Sequence, residues 1–274
     1  MKRYRLTVAY DGTAYHGWQE QENAITIESV LNETLSRVLR EEIHVIGASR
    51  TDAGVHAYGN VAVFDSDTRI PGEKISFAVN PYLPPDIRIM RSEEVAMDFH
   101  PRFTDSIKTY EYHIFHGRIM PPSRRLYAHQ VPVPLDLDAM GKACRYMVGR
   151  QDFRSFCAAK AQVNSTVRRV LDVQIHRIPF MMFDQDSCQE QAGEIPPGEF
   201  GAEEEIIIEV KGEGFLYNMV RIMVGTLLKV GLGAYPPEHV KQIIESKDRS
   251  KAGETVPAKG LFLRKITYKE QKDY

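Results

Sequence analysis

The sequence predicts an α+β fold made of two halves that share one element order. Three observations predict it. Short runs alternate apolar and polar residues, the period-2 mark of half-buried strands. Between them lie stretches with apolar residues at helical spacing. The resulting order of strand, helix, strand, strand, helix, strand can be read twice along the chain. With 274 residues there is room for two modest domains or one large one, and hydrophobic residues at 43% are enough for a core.

The elements follow in order. Residues 4–10 alternate as a strand. Thr26 is a candidate N-cap for a helix in which Ile27, Val30, Leu31, Val38 and Leu39 keep helical spacing. Strands are expected around 43–48 and 57–65, a helix-like stretch at 74–79, and a strand near 87–95. The second half opens with a strand at 107–115, patterned by Tyr110, Tyr112 and Ile114. A helix at 137–148 places Met140, Ala143, Cys144 and Met147 on one face. Strands at 167–178 and 206–211 come next. A strongly apolar helix at 215–230, another helix at 238–245 and a strand at 261–268 complete the chain. Each half thus reads as a ferredoxin-like, split βαβ unit with additions. The repetition is one of element order, not of residues. The boundary is expected near 101–105, dividing the chain into 1–104 and 105–274, with the sheets joined and an active-site cleft between the halves.

Composition excludes several classes. The basic start Met1-Lys2-Arg3-Tyr4-Arg5 is not followed by the apolar core of a signal peptide. No run of apolar residues is long enough to span a membrane. Cys144, Cys157 and Cys188 are odd in number and lack metal-ligand spacing, so they read as reduced cytosolic thiols. The nine histidines show no metal pattern either. His113 and His116 face opposite sides of their strand, and His56 reads as a structural hydrogen-bonding residue. The net charge is −2, but 181–205 holds eight acidic residues and no Lys or Arg. The rest of the chain carries 35 basic against 29 acidic residues. A basic surface that binds phosphate is compatible with that balance. The polar, Pro- and Gly-containing stretch 185–202 lies within an acidic loop expected at about 184–205.

The chemistry-bearing segment is Ser49-Arg50-Thr51-Asp52-Ala53-Gly54-Val55-His56-Ala57. In extended chain, Arg50 and Asp52 point to the same side. A guanidinium there keeps the Asp52 carboxylate ionised, as a nucleophile or base must be at neutral pH. The segment resembles the catalytic segment of the TruA family of tRNA pseudouridine synthases, approximately G-R-T-D-x-G-V-H-A, with Ser49 at the Gly position. Further segments resemble that family in order. Tyr10-Asp11-Gly12-Thr13-Ala14-Tyr15-His16-Gly17-Trp18-Gln19 is similar to its first loop. Phe99-His100-Pro101-Arg102-Phe103 resembles F-H-A-R-F, with Pro101 for Ala. Lys108-Thr109-Tyr110-Glu111-Tyr112 resembles K-x-Y-x-Y, and Asp152-Phe153-Arg154-Ser155-Phe156 resembles D-F-x-S-F. Gly214-Phe215-Leu216-Tyr217-Asn218-Met219-Val220-Arg221 is similar to G-F-L-Y-H-M-V-R, with Asn218 for His. Gly260-Leu261-Phe262-Leu263 resembles the closing G-L-Y-L.

The resemblance implies conversion of tRNA uridines on the 3′ side of the anticodon arm, positions 38 to 40, to pseudouridine. It implies a homodimer acting in the cytoplasm without any cofactor or metal. It makes Asp52 the essential catalytic carboxylate, places Tyr110 against the base, and makes Arg221 the partner of Asp52 across the two halves. Taken alone, Arg221 lies in an apolar helix, where it pairs with a carboxylate, caps the helix end or snorkels to solvent. Arg50 either pairs with Asp52, contacts RNA phosphate, or both. Arg102, Arg124, Arg125, Arg154, Lys160, Arg168 and Arg169 are candidates for a phosphate track. Trp18, beside Tyr15 and His16, either stacks on RNA or anchors the core. Among other readings, a paralogue with a different RNA target stays within the family. A non-catalytic RNA-binding module needs an RNP1-type strand, which 108–112 matches poorly. A glycoside hydrolase needs two opposed carboxylates.

Overall fold

Strand β1 (Lys2–Tyr10) buries every second side chain, Tyr4, Leu6, Val8 and Tyr10, as its alternation predicts. The computed structural model describes residues 1–158, 164–179 and 203–269. Helix α1 (Ile27–Leu39) starts at Thr26 with a capping box: Thr26 Oγ1 accepts the Ser29 N–H and Ser29 Oγ accepts the Thr26 N–H. Strands β2 (Ile46–Gly47) and β3 (His56–Ser66) follow, then α2 (Ile75–Val79) and β4 (Ile87–Val95). The second part of the chain runs through β5 (Ser106–His116), β6 (His129–Val131), α3 (Leu137–Met147), β7 (Gly149–Asp152), β8 (Val167–Pro179) and β9 (Glu204–Gly212). Helices α4 (Met219–Gly231) and α5 (His239–Ser246) and strand β10 (Leu261–Tyr268) complete it.

The expected elements are present, and their differences have local causes. The strand expected at 43–48 shrinks to two residues because helix side chains take its amides. Ile43 N–H donates to Ser36 Oγ at 2.9 Å and Val45 N–H to Asn32 Oδ1 at 2.8 Å. Helix α4 begins at Met219, not 215, because Asn218 takes a left-handed backbone with φ 59°. Strands β6 and β7 are too short to leave a period in the sequence.

The chain divides into two compact units, Met1–Thr109 with Phe262–Tyr274, and Tyr110–Leu261. In the first unit the strands stand in the order β4-β1-β3, with β2 beside β3 and all these pairs antiparallel. Strand β10 joins β3 in parallel, Phe262 opposite His56 and Leu263 opposite Ala57. In the second unit the order is β5-β9-β8-β7, with β6 parallel to β5. Helices α3 and α4 pack on each other, and α3 also packs on β8 and α5. Helix α4 buries Met219, Val220, Ile222, Met223, Val224, Leu227, Leu228 and Val230. At about 1.5–3 kcal/mol for each fully buried large apolar side chain, it is a principal anchor of that unit. No helix among the described residues is long and apolar enough to cross a membrane.

Of the acidic loop expected at about 184–205, the structure describes only the end. Residues 180–202 lie outside the described residues, and Glu204 and Glu205 open strand β9 instead. Both are buried. As consecutive strand residues they point to opposite sides. Glu204 Oε1 lies 3.0 Å from His116 Nδ1, and its Oε2 lies 2.8 Å from Arg177. Glu205 Oε1 lies 2.5 Å from His113 Nδ1, and its Oε2 lies 2.6 Å from Arg124. Burial pushes the Glu205 carboxyl up, but the His113 hydrogen bond and the His113 and Arg124 charges outweigh it, leaving it below its ordinary 4.5. Burial pulls His113 down, and the Glu111 and Glu205 carboxylates override it, leaving His113 above its ordinary 6.5.

Because the folded value of Glu205 is depressed, its stabilisation is present above pH 4.5 and fades as pH falls through the folded value. Glu205→Gln keeps the volume and removes the charge. Urea unfolding at neutral pH is expected to show a loss of about 1–3 kcal/mol. The gap to wild type should close in acid, where the wild-type carboxyl is itself protonated.

Candidate functional site

The segment 48–55 links β2 to β3, and the structure ties it down at most of its residues. The Ala48 N–H donates to Val61 O at 2.7 Å. The Asn60 side chain, wholly buried, brackets Ser49: its Oδ1 accepts the Ser49 N–H at 3.3 Å and its Nδ2 donates to Ser49 O at 2.9 Å. Thr51 Oγ1 shares a 2.7 Å hydrogen bond with the Tyr10 hydroxyl, and Thr51 O accepts the Trp18 N–H at 3.0 Å. The Gly54 N–H donates to Tyr15 O at 3.3 Å, and the Val55 N–H turns back to Asp52 O at 3.1 Å. His56 is buried, accepts the Gly12 N–H on Nδ1 at 3.0 Å, and stacks on Phe262 at 4.6 Å. The side chains left toward the outside are Arg50, Ala53 and, half-buried, Asp52.

The partner of this segment is the loop after β1. A Cβ on Gly12 would lie 2.0 Å from Val55 O, inside any tolerable contact. Gly17 has φ +90°, and a Cβ there would lie 2.7 Å from Thr51 O. Two backbones therefore run against each other, which explains both glycines. A carboxylate at 52 is thereby presented from a loop with little freedom to move.

Charge near the segment is positive. Lys108 Nζ donates to Ala48 O at 2.8 Å. Burial, and then the Arg102 guanidinium, pulls the Lys108 ammonium down to about 8. Arg102 in turn is held below its ordinary 12.5 by loss of hydration and by Arg50, with Glu28 opposing. Arg102 thus acts on Lys108 and Arg50 on Arg102, so positive charge gathers beside the segment and favours an anion there.

The second unit places the other expected residues. Tyr110 is half-buried and meets Phe215 edge-on, with ring centroids 5.2 Å apart. Tyr112 is buried, its hydroxyl donating to Pro257 O at 2.9 Å. Arg221, in the first turn of α4, donates from Nε to Val256 O at 2.7 Å and from Nη1 to Asn218 Oδ1 at 2.8 Å. Asn218 suits both demands, since Asn tolerates the left-handed backbone better than most residues.

Several expectations need correction. Arg50 does not pair with Asp52. It is exposed and makes no ion pair among the described residues. Arg50 is exposed and Asp52 half-buried on either side of Thr51, which is buried and bonded to the Tyr10 hydroxyl and the Trp18 N–H. Trp18 is a core anchor, 1% exposed, lying against Gly47 with its Nε1 donating to Glu28 Oε1 at 3.2 Å. It has no ring face to offer RNA. Tyr15 is also buried, its hydroxyl donating to Asp86 Oδ1 at 2.7 Å. Arg124 is engaged by Glu205. Arg102 is exposed, Arg168 is half-buried, and Lys160 lies outside the described residues. Sequence reading missed Asn60, and named Lys108 only as the first residue of the K-x-Y-x-Y resemblance. The signal for Asn60 was a polar residue inside an otherwise apolar strand.

Comparison with known proteins gives a consistent result. A family model described as tRNA pseudouridine synthase matches residues 6–104 and 143–269. The chain is 41% identical over 268 residues to tRNA pseudouridine synthase A of Thermoanaerobacter sp. (strain X514), covering 98% of this chain and 100% of that protein. It is 43% identical over 268 residues to tRNA pseudouridine synthase A of Ruminiclostridium cellulolyticum (strain ATCC 35319 / DSM 5812 / JCM 6584 / H10), with the same coverage. It is 42% identical over 268 residues to tRNA pseudouridine synthase A 2 of Clostridium perfringens (strain 13 / Type A), again covering 98% and 100%.

The Lys108 contact yields a pH test. With its folded value lowered from 10.5 to about 8, Lys108 costs stability below about pH 8, and that cost lessens as pH rises toward 10.5. Lys108→Met keeps the stem and removes the titration. Urea unfolding across this window should show wild-type stability gaining on the variant as pH rises. A constant difference would contradict the lowered value.

Proposed function

The chain belongs to the TruA family of tRNA pseudouridine synthases, and on that footing we propose that it converts uridines 38 to 40, on the 3′ side of the anticodon arm, with Asp52 as the essential carboxylate. The enzyme is an isomerase that forms pseudouridine in tRNA. The reaction breaks the bond between the ribose C1′ and uracil N1, turns the base, and joins C1′ to C5. The proton on C5 is lost and N1 gains one, so no redox change or nucleotide energy enters. The needs are an ionised carboxylate at the sugar–base junction, a group to take the C5 proton, and contacts that hold the detached uracil.

One observation carries the assignment of Asp52. Its loop is fastened at Ala48, Ser49, Thr51, Gly54 and Val55, while its own half-buried carboxylate is carried at a turn. Catalysis by a positioned group depends on that kind of preorganisation. The Arg50, Arg102 and Lys108 charges beside the loop favour a polyanionic substrate. In this reading Tyr110 stacks on the base, Arg221 supports the site, and Arg50, Arg102 and Arg168 contact the RNA backbone. Uridines in a stem leave the stack to be reached. The enzyme works in the cytoplasm as a homodimer, the two-fold assembly being the commonest for such chains.

Asp52→Asn removes the charge and nearly preserves shape. Pseudouridine formation should be lost, with tRNA affinity kept within about tenfold, roughly 1.4 kcal/mol. Turnover within tenfold of wild type would reject Asp52. Mapping pseudouridines in tRNA from a deletion strain tests the positions, and loss anywhere but 38 to 40 would redirect the substrate assignment. Arg221→Leu suits an apolar helix, yet should lower turnover strongly while thermal unfolding shows a folded protein.

A further inference from the structure

The hairpin of β7 and β8 concentrates arginines. Arg150 stands opposite Arg169, and Gln151 opposite Arg168. The turn after β9 is tied to them, because the Glu213 N–H donates to Arg169 O at 3.1 Å. Arg150, Arg168, Arg169, Glu213 and Gly214 line an open hollow of about 390 Å³.

Charge in this hollow is unbalanced. Arg169 Nη1 donates to Glu213 Oε1 at 3.4 Å and is paired with it. Arg168 Nη1 donates to the carbonyls of Ser165 and Val167, at 2.9 and 2.7 Å. Neither Arg150 nor Arg168 has a carboxylate within ion-pair distance among the described residues. Burial holds Arg168 below its ordinary 12.5, the mark of a cation that has lost water. Arg150 and Arg169 share one face of the strand pair and Arg168 comes from the other, along Gly214, so the hollow at their edge carries three guanidiniums against one carboxylate. The planar guanidinium fork matches phosphate oxygens two at a time.

The position of the hollow identifies the anion. Gly214 lines it, and the next residue, Phe215, meets the Tyr110 ring edge-on. We propose that Arg150, Arg168 and Arg169 hold a backbone phosphodiester of the tRNA, close to the nucleotide that Tyr110 engages. The proposal rests on the reading of Tyr110 above, and adds Arg150 and Glu213 to the RNA-binding surface. Glu213 limits the attraction by offsetting one of the three positive charges.

The test is tRNA affinity measured across a series of salt concentrations, with an unmodified transcript and Asp52→Asn as host so that no turnover intervenes. Adding Arg150→Gln with Arg168→Gln should weaken binding about tenfold and reduce the slope of log K against log salt by about 0.7–0.9, one phosphate contact. Adding Glu213→Gln instead should tighten binding several-fold, a direction that damage to the fold does not produce. An unchanged slope in the double arginine variant, or unchanged affinity in Glu213→Gln, overturns the proposal. Free inorganic phosphate is the competing source of the same chemistry. If phosphate at constant ionic strength raises the wild-type unfolding temperature but not that of the arginine variant, and the tRNA slope is unaltered, the hollow is an ion site and not an RNA site. Wild-type pseudouridine formation is assayed separately. Its absence would defeat the functional reading, while the slopes would still judge the hollow.

Discussion

Two stretches of backbone pressed together, 12–17 against 51–55, are the constraint on which the first unit's functional surface depends. Neither Gly12 nor Gly17 has space for a Cβ. The closeness brings the Trp18 N–H to Thr51 O and the Gly54 N–H to Tyr15 O. It also lets the Gly12 N–H reach His56. A loop held by main-chain hydrogen bonds on both flanks loses most of its entropy on folding rather than on meeting substrate. The buried Trp18 and Tyr15 side chains make the holding loop part of the core, so its rigidity is a packing property.

The sheet completes the arrangement through β3. Strand β1 takes one edge of β3 along most of its length. Along β3, β10 pairs at His56 and Ala57, whereas β2 pairs at Ala62 and Val63. The chain of 48–55 leaves the sheet between those two partners, and Asn60 supplies there the donor and acceptor that a neighbouring strand would otherwise offer. A register shift between Val8 and Tyr10 of β1 marks a bulge at the same level. Bulges re-aim side chains beside functional sites, and here the bulge lies where the Asp52 loop returns to the sheet.

In the second unit, polar groups within an apolar frame do comparable work. Asn218 combines a left-handed backbone with a hydrogen bond to Arg221, so the departure from His at that position keeps the arginine oriented. Glu204 and Glu205 are satisfied by His116, Arg177, His113 and Arg124. Their burial is tolerable because each carboxylate is both paired and hydrogen-bonded. Arg150, Arg168 and Arg169 stand together on the paired strands β7 and β8, so local charge there differs in sign from the net −2 of the chain.

Sequence by itself determined the α+β class and most elements, because strand and helix periods are local properties. The period-2 run of β1, the Thr26 cap and the buried face of α3 needed no tertiary information. The ordered motifs likewise made the family legible. Tertiary structure decided what local pattern leaves open. Trp18 became core and not an RNA contact because the space beside Gly47 receives it. Arg50 stayed exposed and Asp52 half-buried around Thr51, which Tyr10 and Trp18 hold from the loop after β1. The strand expected at 43–48 gave its amides to Ser36 and Asn32 of α1. Glu204 and Glu205 left the loop for β9 because their partners, His113, His116, Arg124 and Arg177, are brought to them by the fold. In each case the deciding partner is distant in sequence or set by a backbone turn, and neither hydrophobic period nor residue spacing encodes such a partner.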